Sequence, residues 1–105
     1  MTRLRLAAAA LNQTPLAWDE NRDHIVAALA EAKENEVGVL CLPELCIIGY
    51  GCEDQYFSAG MHETSLELLQ EILPHTDGLV TCLGLAIPFE DKLYNACAVV
   101  ADGEL

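Results

Sequence analysis

Apolar residues recur along this chain first at alternate positions, then at helical spacing, then in short unbroken runs. RLRLAAAALNQ predicts a buried first strand over residues 3–11, with a turn through Thr14 and Pro15 after it. From Trp18 to Asn35 the period changes. Trp18, Ile25, Leu29 and Ala32 return at helical intervals, while Asp19, Glu20, Asp23, Glu31 and Glu34 fall mostly on other faces. This predicts a surface helix with Asp19 as its N-cap and Lys33 near its negative end. EVGVLCLPE is too continuous for a half-exposed strand and too short for a typical helix, so it predicts a second buried strand and completes a βαβ unit. A glycine-containing loop leads to a second amphipathic helix, for which Thr64 and Glu67 of TSLE offer a capping box and Pro74 a stop. GLVTCLGLAIP, residues 78–88, and residues 93–101 predict two further strands joined by a polar turn, a hairpin. Asp102-Gly103 is another turn signal two residues before Leu105, so the sheet reads as stopping part-way. The pattern is α/β: a βαβ unit, a second helix and a β-hairpin, an incomplete layer whose open edge invites self-association.

Composition narrows the possible partners. The chain has 105 residues, enough for one core, and 52% of them are hydrophobic. Seventeen acidic residues against five basic ones give a net charge of -12. No basic patch able to neutralise a run of phosphates is expected, which argues against nucleic acid and against anionic membranes. LRLAAAALN is too short to span a bilayer, and its alternation fits a strand better than a signal peptide. Cys41, Cys46, Cys52, Cys82 and Cys97 have no CxxC spacing, which suggests free thiols and a cytoplasmic setting. Cys41, Cys82 and Cys97 lie in apolar runs and are expected in the core, with Cys46 and Cys52 more exposed. Neither His62 nor His75 has zinc-finger spacing, so no metal site is expected.

Chemistry concentrates in CLPELCIIGYGCED, residues 41–54. Glu44 follows Pro43 at the C-terminal end of the second strand, where open α/β sheets place ligand-binding groups. Its flanks, CLP and LCII, are apolar, so a partly desolvated carboxylate suited to general-base work is one reading. A solvated strand-end carboxylate or salt-bridge partner is the other. Gly49 and Gly51 permit a tight path around Tyr50, which either lines a pocket or packs with its hydroxyl at the surface. Asp54 is read as a helix cap, and His24, His62, His75 and Lys92 as surface or helix-flanking residues.

PEL followed by GYGCED, and later LYNA after a strand, resembles the carbon-nitrogen hydrolase (nitrilase) superfamily, and within it the N-terminal glutamine-amidase domain of glutamine-dependent NAD synthetases. The resemblance covers nearly the whole chain. It implies that residues 1–105 are the N-terminal part of an α-β-β-α sandwich with a Glu, Lys, Cys triad. In that triad a cysteine attacks the amide of glutamine, a glutamate moves protons, and a lysine stabilises the oxyanion. Glu44 carries over as the base and Tyr50 as a residue near the glutamine pocket. Lys92 does not carry over, because it precedes YNA whereas the family lysine follows the strand after it. None of the five cysteines stands in the nucleophile's motif.

The resemblance thus implies a fragment that has glutamine as the substrate of the complete domain and a separate C-terminal synthetase domain as its partner. ATP and magnesium are implied only for that synthetase domain, and no cofactor is expected here. Alternative readings are a non-catalytic α/β interaction or structural protein, or a fragment of another nitrilase-type amidase.

Overall fold

The structure, a computed structural model, describes residues 3–105. Its strands are β1 (Leu6–Ala8), β2 (Val39–Cys41), β3 (Val80–Phe89) and β4 (Lys92–Ala101); its α-helices are α1 (Trp18–Glu34) and α2 (Ala59–Ile72). They form one sheet in the order β1-β2-β3-β4. The first three strands run parallel and β4 returns antiparallel to β3. This is the expected α/β arrangement, with a βαβ unit, a second helix and a hairpin, and it corresponds to part of an α-β-β-α sandwich. The hairpin turns through Glu90 and Asp91, whose φ values of 48° and 63° are both left-handed. That two-residue turn carries the twist its flanking strands need.

Strand parity sorts the core. Leu40, Thr81 and Val100 share a row of the sheet and are all buried. With Leu83 and Leu85 on the same face, they pack against Ile25, Leu29 and Ala32 of α1 and Leu68, Leu69 and Ile72 of α2. Both helices therefore cover one face. The opposite face carries Leu6, Val39, Val80 and Ala101 in one row and Ala8, Cys41, Cys82 and Val99 in the next. Leu6 is 68% exposed and Val99 54%.

That open face reverses the expected placing of the thiols. Cys41 and Cys97 are exposed and Cys82 is half-buried, while Cys46 and Cys52 are buried. An apolar run is buried throughout only when both sheet faces are covered, and here one face is open. The loop thiols are inside because their loop folds back onto the sheet.

Three boundaries also differ from expectation. β1 is a three-residue edge strand rather than a buried strand over 3–11, because only one neighbour pairs with it. Asp19 is not the N-cap of α1: Ala17 occupies that position, and Asp19 lies in the first turn, where its charge still meets the positive end of the helix. α2 begins at Ala59, with Ser58 at the N-cap; Thr64 sits inside the helix, its hydroxyl donating to the Gly60 carbonyl. Pro74 falls in a short 3-10 turn, Leu73–Thr76, that closes α2.

Candidate functional site

β2 stops for a covalent reason. Leu42 still donates its N–H to the Cys82 carbonyl at 2.8 Å. Pro43 has no N–H to continue the ladder, and the chain turns away from the sheet through Glu44–Ile48. Leu45 takes a left-handed φ of 52° directly after Glu44. A non-glycine residue there is strained, and burial of the Leu45 side chain against Ile48, Cys52 and Ala86 offsets that strain. Glu44 points the other way and is exposed. The shielding expected from its apolar neighbours is not realised within this chain, since Leu42, Leu45 and Cys46 direct their side chains inward.

The turn rests on β3 at Gly84. A Cβ added there would come within 2.4 Å of the Leu45 nitrogen, 2.8 Å of the Pro43 oxygen and 2.9 Å of the Glu44 carbonyl carbon. Only a glycine allows so close an approach of two backbones. The Glu44 carboxylate then reaches β4, where Oε1 accepts a hydrogen bond from Nδ2 of Asn95. Asn95 faces Ala86 across the hairpin, on the same sheet face as Gly84.

Support from behind comes from α1. The fully buried Asn21 accepts from the Thr14 N–H at 3.0 Å and donates to the carbonyls of Thr14 at 2.8 Å and Ile47 at 3.2 Å. Gln13 donates to the carbonyls of Asn21 at 3.0 Å and Cys46 at 2.7 Å, and its own carbonyl meets His24 Nδ1 at 2.8 Å. Gly49 closes the turn at φ 97°, against the backbone of Thr14 and Pro15.

Tyr50 is 71% exposed at the tip of the loop. Tyr56 holds the loop together instead: its hydroxyl donates to the Gly49 carbonyl at 2.7 Å and accepts from the N–H groups of Gly51 and Cys52 at 2.9 and 3.1 Å. Desolvation pushes the Tyr56 hydroxyl pKa up, so it stays a donor. Tyr56 lies in a 3-10 turn, Glu53–Phe57, whose cap position is held by Cys52 rather than Asp54. Neither Tyr56, Gly84 nor Asn21 stands out in the sequence, and Asn95 is marked there only as part of LYNA, without a role. A signal for Tyr56 was available: a GYG loop leaves backbone groups to be satisfied, and a nearby tyrosine both donates and accepts.

Among the described residues none of the remaining candidates hydrogen-bonds to the Glu44 carboxylate. Lys92 is three positions from Asn95 and therefore on the opposite face of β4. Burial pushes the Cys46 thiol up to about 11, and desolvation also raises Cys82, so both hold their protons at neutral pH. Among the described residues no group of three or more His, Cys, Asp or Glu side chains is arranged to hold a metal ion. A groove of about 550 Å³ lies between β1 and α1 beside Ala8, Ala10, Ala27 and Glu31, separate from Glu44. Among the described residues no helix is long and apolar enough to cross a membrane.

A carboxylate held just beyond a parallel strand, on a turn seated against a neighbouring glycine, is thus the most defined chemical feature of the chain. Residues 5–105 match the carbon-nitrogen hydrolase family. The chain belongs to that family. As a carbon-nitrogen hydrolase it is 36% identical, over its whole length, to a glutamine-dependent NAD(+) synthetase of Thermotoga maritima, 18% of whose length it covers. A solved glutamine-dependent NAD(+) synthetase from Cytophaga hutchinsonii is 41% identical with a TM-score of 0.92, over 95% of this chain and 17% of that one. An amidase from Nesterenkonia sp. shares the fold, with a TM-score of 0.80 at 22% identity over 96% of this chain and 40% of that one. The chain therefore spans less than a fifth of those two synthetases and two-fifths of the amidase.

Proposed function

We propose that residues 1–105 form the part of a glutamine-hydrolysing, ammonia-supplying domain that carries its general base, Glu44. The observation that carries this reading is the seating of Glu44 at the end of β2, with its backbone against Gly84 and its carboxylate on Asn95. The similarity to NAD(+) synthetases supports glutamine as the substrate and a glutamine-dependent NAD synthetase as the parent. A cytoplasmic setting fits five free thiols.

In the reaction so proposed, Glu44 takes the proton of a cysteine thiol as sulfur attacks the glutamine side-chain carbonyl. It returns that proton to the nitrogen as the C–N bond breaks and ammonia leaves. Water then attacks the thioester, giving one proton to Glu44, and that proton passes to the departing sulfur as glutamate forms. The lysine and cysteine of this chemistry are not assigned to Lys92 or to any of the five cysteines. ATP and magnesium belong to the synthetase partner domain, and none of these steps passes through them.

The open sheet face, with Leu6, Val39, Val80 and Val99, supports a facing sheet of the sandwich as its partner. Tyr50, exposed on the loop beyond Glu44, is read as a wall of the glutamine pocket.

Two arms test the proposal. The 105-residue chain alone, incubated with glutamine, is expected to release no ammonia above a Glu44→Gln control. The same chain exchanged for the matching segment of the Thermotoga maritima synthetase is expected to restore glutamine-dependent ammonia release. A folded chimera without that release contradicts the reading.

A further inference from the structure

The asparagine of the LYNA segment is the side chain that meets Glu44. Asn95 is exposed on β4, and its Nδ2 donates to Oε1 of Glu44 across 51 residues of sequence. Oε2 has no hydrogen-bond partner among the described residues. Two groups on one sheet face thus hold Glu44 at two points: Gly84 receives its backbone, and Asn95, one residue pair further along the same face, receives its side chain.

We propose that Asn95 is a positioning residue that fixes the Glu44 carboxylate through Oε1 and leaves Oε2 as the atom that exchanges protons. An amide suits this task because Nδ2–H donates whatever the pH and carries no charge. A lysine in its place would pair with the carboxylate as a charge and favour its ionised form; an aspartate would repel it. Asn95 instead selects one rotamer and orients the free oxygen, which matters because proton transfer needs heavy atoms within hydrogen-bond reach. Pro43 stiffens the chain before Glu44, and the buried Leu45 anchors the chain after it, so the side-chain torsions are what remain for Asn95 to fix.

The catalytic meaning of this contact rests on Glu44 being the base, but the contact can be tested without turnover. In the 105-residue chain, the Asn95 side-chain amide resonances are followed by NMR as pH falls from 7 to 3. They are expected to shift with the protonation of Glu44, while those of the exposed Asn12 stay fixed, and Glu44→Gln is expected to abolish the shift. Asn95→Ala is expected to collapse the inequivalence of the Glu44 Cγ protons without moving the core methyls of Leu83. Both side chains are exposed, so neither substitution opens the core. Asn95 resonances that ignore both pH and Glu44→Gln, or Glu44 protons unchanged in Asn95→Ala, overturn the proposal. If these signals behave as expected while Glu44→Gln leaves glutamine hydrolysis intact in the chimera, it is the base reading that fails and not the contact.

Discussion

At the scale of single residues, the site is decided by side chains that are small or absent. Gly84 has no Cβ, and the turn bearing Glu44 fills the space one would occupy. Gly84→Ala must push the backbone of Pro43–Leu45 away, because none of the three closest atoms belongs to a flexible side chain. The expected loss is about 1–3 kcal/mol in denaturant unfolding, with the Glu44–Asn95 contact broken. Equal stability with an intact contact would show that β3 does not seat the turn. Cys46 makes a second prediction. Its folded value of about 11 lies above the ordinary thiol value of 9.0, so the folded state keeps a proton that the unfolded state gives up. Its contribution is therefore fully present below about pH 9 and is lost as pH rises toward 11, by on the order of 2 kcal/mol. Unfolding measured across that range is expected to be less steeply pH-dependent in Cys46→Ala than in the parent chain.

Elements carry the next level of the argument. The turns on either side of the site belong to different segments, and α1 joins them through Asn21, which ties Thr14 to Ile47. Asn21→Ala leaves these backbone groups unpaired at a buried position, at about 1–3 kcal/mol for each. Thermal unfolding is expected to show a loss of at least about 2 kcal/mol; a near-neutral result would mean that Asn21 does not brace the turn. The periodicities of α1 and of the β3–β4 hairpin are readable from the chain because each is long enough for its repeat to register. The start of α2 is not, since Thr64 and Glu67 imitate a capping box five residues inside the true helix. Likewise Glu44 is marked by the proline before it and its place after an apolar run. Asn95, Gly84 and Asn21 act through contacts that reach across 26 to 51 residues and close only when the chain has folded, whereas Tyr56 acts on the backbone of its own loop. The misplacing of Cys41, Cys82 and Cys97 has the same origin: continuity of apolar residues tells that a strand is flanked by apolar surroundings, not which face this chain itself covers.

At the scale of the whole molecule, the helices cover one sheet face, and the loop from Leu45 to Phe57 covers the far end of the other. Glu44 lies where covered and open surface meet. This is a sensible position for a proton-transfer group in a two-sheet sandwich, because a facing layer would desolvate it without displacing the turn that holds it. The chain covers 18% of the length of the Thermotoga maritima synthetase, so the proposed role of Glu44 is tested within that longer protein. The most direct measurement is therefore NAD formation by the chimera that carries residues 1–105 in that synthetase, driven in parallel by glutamine and by ammonia. Glu44→Gln is expected to reduce the glutamine-driven rate by about 10²–10⁴ and to leave the ammonia-driven rate unchanged. A glutamine-driven rate that survives the substitution would contradict the assignment of Glu44 as the base.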